Sequence, residues 1–133
     1  MKLQRGRLVD HIHLHAADLG ASQRFYSAVL DVLGIDVVSD DWHLAADELW
    51  IDGEEGNTNV HLAFQARDRA TVDRFHEAGL AAGGRDNGAP GERDYHPGYY
   101  AAFLLDPDGN NIEAVHHGPA ERSAESVVVT IGE

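Results

Sequence analysis

The chain has 133 residues, 43% of them apolar, and carries a formal net charge of −13 without any basic run. That length suits one domain or two small modules sharing a core, and the acidic balance makes nucleic acid and anionic membrane surfaces poor partners. Cysteine is absent, which excludes disulfides, zinc–thiolate centres and thiol catalysis.

From the N-terminus, residues 1–7 lack the apolar stretch of a secretory signal, and no long apolar span follows; the expectation is a cytosolic protein. Residues 8–16 alternate, with Ile12 and Leu14 on one face and His11, His13 and His15 on the other, the period of a half-buried strand. Asp18 is placed to cap a helix whose apolar stripe is Phe25, Ala28, Val29, Val32 and Leu33, and Gly34 takes the position just past its end. Residues 35–39, 42–46 and 48–52 read as three short strands separated by acidic turns, and residues 53–57 as a linker.

The pattern then restarts. A shift of 50 residues carries His11 onto His61, Asp18 onto Asp68, Phe25 onto Phe75, Leu30 onto Leu80 and Gly34 onto Gly84 without a gap. Residues 59–66 are therefore a strand, Asp68 a cap and residues 71–82 a helix, and the chain is a duplicated βαβββ unit. Residues 83–98, rich in glycine and holding Pro90 and Pro97, predict one short strand and a long loop. Residues 99–105 and 111–116 form a hairpin around the turn Asp106-Pro107-Asp108-Gly109, in which proline fixes one φ and glycine supplies a positive one. In the second of these strands Glu113 points away from Ile112 and Ala114, and an inward carboxylate needs a cation, a metal or hydrogen bonds to offset its desolvation. His11 and His61 are its candidate partners. The tail, residues 118–133, ends in the β-prone run Val127-Val128-Val129-Thr130-Ile131, which either adds an edge strand or packs on a second subunit.

Two motifs point to a family. The first unit carries His11 … Asp18-Leu19 … Phe25-Tyr26, and the second ends in Asp106-Pro107-Asp108-Gly109-Asn110-Asn111-Ile112-Glu113. Across about residues 8–117 the chain resembles the vicinal oxygen chelate superfamily, which holds glyoxalase I, extradiol dioxygenases, fosfomycin resistance enzymes and bleomycin-binding proteins. Asp86-Asn87-Gly88-Ala89-Pro90-Gly91 followed by Tyr95-His96-Pro97-Gly98-Tyr99-Tyr100-Ala101-Ala102-Phe103 further resembles a bacterial glyoxalase-like subgroup. The resemblance implies an α+β fold in which two tandem βαβββ modules, residues 8–53 and 59–117, form a curved mixed sheet around one cleft.

It also implies a divalent metal on His11, His61 and Glu113. The fourth ligand position of the family falls on Trp50, which cannot ligate, although Glu48 and Asp52 share its face and a register shift of two would restore a ligand. Two histidines and one carboxylate suit Fe(II) or Mn(II), with Zn, Ni or Co also admitted. His13 and His15 become candidate acid–base groups, with solvated strand residues as the plainer alternative, and Tyr99 a donor to bound substrate. Trp50, Gln65, Arg93, His96 and Phe103 are the substrate-binding candidates; Trp50 could equally be core filler, and Arg93 and His96 belong to a loop that could act as a lid. The function implied is a metal-dependent enzyme, lyase, isomerase or dioxygenase, acting on a small vicinal-oxygen substrate, and the partner expected is a second copy in a homodimer. The competing function is a non-catalytic drug-sequestering protein of the bleomycin-resistance type, built on an apolar, aromatic cleft.

Overall fold

The structure is a computed structural model that describes residues 2–5, 10–56, 58–121, 127–130 and 132. The first module runs β2 (Ile12–His15), α1 (Leu19–Val32), β3 (Val38–Ser39), β4 (His43–Ala46) and β5 (Leu49–Asp52). The second runs β6 (His61–Gln65), α2 (Arg69–Ala81), β7 (Arg85–Glu92), β8 (Tyr100–Leu105) and β9 (Asn111–His116). Each module folds into its own four-stranded mixed sheet, ordered β2-β5-β4-β3 and β6-β9-β8-β7, with the β2–β5 and β6–β9 pairs parallel and the rest antiparallel. This is the tandem βαβββ architecture that the repeat predicts. Among the described residues no ladder joins the two sheets; the modules meet through α1 packed on α2.

The helix boundaries follow local chemistry. Asp18 accepts a hydrogen bond from the Ala21 N–H, and Asp68 accepts from both the N–H and the hydroxyl of Thr71. Both C-termini close as paired backbone bonds around a left-handed glycine: Gly34 (φ +76°) with Gly34 N–H to Asp31 O and Ile35 N–H to Leu30 O, and Gly83 (φ +97°) with Gly83 N–H to Leu80 O and Gly84 N–H to Gly79 O. The structural counterpart of Gly34 is thus Gly83, not Gly84. With 14 residues in α1 and 13 in α2 the repeat slips by one in the last turn. Leu30 is buried as a result, whereas Leu80 is 41% exposed.

Between the helices and the inner sheet faces lies the core, with Leu14, Phe25, Val29, Ile51, Phe75, Leu104 and Ile112 almost wholly buried. The turn before β9 bolts the modules together. Gly109 N–H donates to Asp106 O, and the buried Asp106 carboxylate accepts from the N–H groups of Asp108 and Asn110, the Asn110 side chain and, at 2.5 Å, the Tyr26 hydroxyl of α1. Asp108 reaches back to the Ala17 N–H at 2.9 Å, and Asn110 Oδ1 accepts from the Val60 N–H. Burial, reinforced by the charge of Asp106, holds the Tyr26 hydroxyl well above its ordinary pKa, so it remains a donor. Tyr26→Phe is expected to cost about 1.5–3 kcal/mol, the worth of a hydrogen bond to a charged group, read as a lower urea midpoint at unchanged slope.

Two segments differ from expectation. Residues 85–92 form a full strand instead of a short one, because β7 absorbs Gly88, Pro90 and Gly91 in register shifts between Asp86, Gly88 and Gly91 opposite β8. The loop shrinks accordingly. The tail supplies β10 (Val127–Thr130), which pairs antiparallel with β1 (Lys2–Arg5) as a separate two-stranded ribbon. No helix among the described residues is long and apolar enough to cross a membrane.

Candidate functional site

Strand alternation decides what each sheet presents on the face turned from its helix. In β6 the inward positions are Leu62 and Phe64, leaving His61, Ala63 and Gln65 exposed. On β9 the same face carries Glu113, opposite Ala63 on one side and Phe103 of β8 on the other. Glu113 is 1% exposed, and a carboxylate there requires compensation. It receives it from two directions: His61 Nε2 lies 2.7 Å from Oε1, and the Tyr99 hydroxyl donates to Oε2 through a short hydrogen bond. Burial first, then that bond and the charge of Glu113, push the Tyr99 pKa far above its ordinary value. Tyr99 is therefore a fixed donor, not a phenolate base. Around this pair stand Phe103, 5.9 Å from the His61 ring, and Arg93, whose guanidinium covers Phe103 and bonds the Ala89 carbonyl. His96 stacks on His117, with Nε2 to Nδ1 at 2.9 Å, and both meet the edge of Tyr99. His117 follows β9 directly, and its partner His96 is set by the loop, not by the strand period.

The first-module face is separate. His11 is exposed, with Nδ1 2.8 Å from Asp10, and lines an open cleft of about 330 Å³ with His13, Asp47, Glu48, Leu49 and Trp50. Trp50 pairs with His13 as Glu113 pairs with Ala63, so it occupies the first-module counterpart of Glu113. It is half-buried, stacked on His43 at 4.3 Å, and its indole N–H donates to Asp52. His13 and His15 are gathered with Asp52, which the sequence admits as a ligand only through a register shift, and with Glu54, which it does not single out. Their one sequence signal was parity, since Asp52 shares Trp50's face.

The structure thus brings His61, Glu113, Tyr99, Phe103, Arg93 and His96 into one neighbourhood, with Gln65 at the exposed far end of β6. His11 immediately precedes β2 of the other sheet, and among the described residues it does not join His61 and Glu113 in a group of donors within 4.8 Å of one another. As a metal site the second-module pair fits in its chemistry. One imidazole nitrogen and one carboxylate oxygen face each other at 2.7 Å, with the second carboxylate oxygen tied off by Tyr99.

Paired βαβββ modules that offer imidazoles and carboxylates on open sheet faces define a class of protein, and comparison with known proteins gives it a family. The model of the Glyoxalase/Bleomycin resistance protein/Dioxygenase superfamily matches residues 8–114, and the chain belongs to that superfamily. It is 34% identical over 128 residues to the uncharacterized protein YqjT of Bacillus subtilis (strain 168), covering 80% of this chain and 97% of that one. Among solved structures it is similar to a glyoxalase/bleomycin resistance protein from Albidiferax ferrireducens T118, with 34% identity, a TM-score of 0.67 and coverage of 82% and 98% of the two chains. The oxidase ChaP-H2 is similar at 25% identity and a TM-score of 0.57, over 80% of this chain and 91% of that one.

Proposed function

We propose that this protein is a metal-dependent enzyme of the glyoxalase/extradiol-dioxygenase type acting on a small substrate with two adjacent oxygens. The observation that carries the reading is the buried Glu113 carboxylate set against the half-exposed His61 nitrogen at 2.7 Å. His61 Nε2 and Glu113 Oε1 would hold a divalent ion, Fe(II) or Mn(II) by donor type, with His11 as third ligand. When bound, the ion supplies a Lewis acid that stabilises oxyanion charge developing on the substrate.

The chain's own groups do the rest. Tyr99 fixes the Glu113 carboxylate through Oε2 and keeps its own proton. Phe103 under Arg93 forms an apolar wall beside the donors, and the His96–His117 pair closes the loop side with two imidazoles in hydrogen-bond contact. His11 would reach the second-module pair from a second copy of the chain in a homodimer, a reading supported by His11 standing outside a shared donor group with His61 and Glu113 within one chain.

Calorimetry of catechol and phenol on Mn(II)-loaded and metal-stripped protein tests the reading. Loaded protein should bind catechol at least roughly tenfold more tightly than phenol, about 1.4 kcal/mol, and the preference should vanish in Glu113→Gln and in stripped protein. Equal affinities with and without metal would replace the enzyme by a sequestering protein built on aromatic surface.

A further inference from the structure

We propose that His13, His15, Asp52 and Glu54 form a second divalent-metal site, confined to the first module and independent of the His61–Glu113 pair. Parallel pairing of β2 with β5 sets His15 beside Asp52 and His13 beside Trp50, so two imidazoles and one carboxylate emerge from one face of two adjacent strands. Glu54 follows directly after the strand and adds a second carboxylate. One ligand atom from each of the four residues lies within 4.8 Å of all the others. Two imidazoles and two carboxylates make an anionic donor set that a dication balances.

The contacts inside the cluster are those of ligands awaiting a common centre. His13 Nε2 is buried and lies 2.9 Å from Asp52 Oδ1, yet its approach completes no hydrogen bond. That separation is about half an ångström short of the ~3.4 Å edge between neighbouring ligands held at roughly 2.1 Å in a tetrahedral zinc shell, a gap that a small side-chain movement spans. A cation between the two atoms would satisfy both.

The supporting contacts orient the donors. Asp52 is held by the Trp50 indole N–H at 3.0 Å and by the Glu54 backbone N–H at 3.1 Å. His15 Nδ1 faces the Glu54 carbonyl at 3.3 Å, a contact that orients the ring. Its ring is packed against His13, centroids 4.4 Å apart, and beneath Gly56, where a Cβ would come 3.1 Å from the imidazole. The ring is thereby prevented from swinging away. With two imidazoles among four donors the site selects a first-row transition ion of the zinc type over magnesium or calcium.

On this assignment His13 and His15 are ligands and not acid–base groups. The test is zinc titration by calorimetry and cobalt(II) absorption spectroscopy on the full chain, in wild type and in Glu113→Gln. Glu113→Gln protein, its second-module pair disabled, should still take one zinc per chain and show cobalt ligand-field bands. Adding His15→Ala or Glu54→Gln to that background should weaken zinc at least tenfold and bleach the bands. Glu54 is exposed, so its variant leaves the fold intact if His15→Ala does not. Loss of all zinc binding in Glu113→Gln alone would overturn the proposal, as would unchanged affinity on adding Glu54→Gln. Failure of the His61–Glu113 site shows up separately, as wild type and Glu113→Gln binding the same number of ions.

Discussion

Neither His11→Ala nor Glu113→Gln protein is expected to bind Mn(II) at the proposed His11–His61–Glu113 site, yet a mixture of the two, unfolded and refolded together, should recover about a quarter of the sites. Each variant alone removes one donor from every site. Loss of a ligand should exceed the ~10–100-fold that losing a supporting hydrogen-bond partner costs a metal centre. In a two-fold dimer where His11 of one copy meets His61 and Glu113 of the other, half of the mixed population is heterodimer, and each heterodimer keeps one intact site. The motive is geometric. His11 is exposed just ahead of the first sheet, His61 is half-exposed on the second, and α1–α2 packing holds the modules together from the opposite side. Manganese affinity followed by electron paramagnetic resonance reads the outcome. A mixture no better than its parents would rule out ligands shared between chains, and wild-type affinity in His11→Ala would remove that residue from the site.

Gly84→Ala should destabilise the fold by about 3 kcal/mol, at the upper end of what overpacking usually costs. A Cβ there would come 2.5 Å from Phe25 Cε1 and 2.9 Å from the Gly79 carbonyl oxygen. Phe25 is fully buried and its ring cannot shorten, and the carbonyl is the one that Gly84 itself bonds to close α2. Gly79→Ala makes an instructive comparison. Its Cβ would approach Leu104 Cδ1 more closely, at 2.2 Å, but that atom is the far end of a side chain that can rotate. Alanine inside α2 also gains up to about 1 kcal/mol of helix propensity over glycine. The smaller loss is thus expected at the closer contact. Urea unfolding of both variants decides the order, and a Gly79→Ala loss exceeding that of Gly84→Ala would show that the helix end, not the core, yields.

Legibility in the sequence followed the range of the interaction. Asp18, Asp68 and Gly34 act within a few residues of themselves, and the structure uses them as caps as the sequence reading had them. The β8–β9 hairpin was equally readable, because its turn chemistry is local. β7 is legible only as a short strand, since its pairing with β8 is what overrides the strand-breaking tendency of Gly88 and Pro90. The β1–β10 ribbon joins four-residue segments from opposite ends of the chain, and no period inside either announces the other. At the site, alternation alone separated Glu113 from its buried neighbours and put His11, His13 and His15 on one face. The cluster of His13, His15, Asp52 and Glu54 needed the β2–β5 register, which no repeat supplies.

The division of each sheet into a helix-covered face and an open face has a consequence for how such a protein changes over generations. Leu14, Ile51, Ile112 and Ala114 face the core, while His13, His61 and Phe103 stand on the other face of the same two sheets. Replacing a residue of the second set leaves the packing of the first untouched. Donor positions can therefore be gained, lost or refitted to a new ligand at little risk to folding, a freedom unavailable where function and core share side chains. Asp52 and Glu113 are the exceptions. Each serves the open face from a buried position, so a lineage that discards Glu113 must also find a use for Tyr99 and His61.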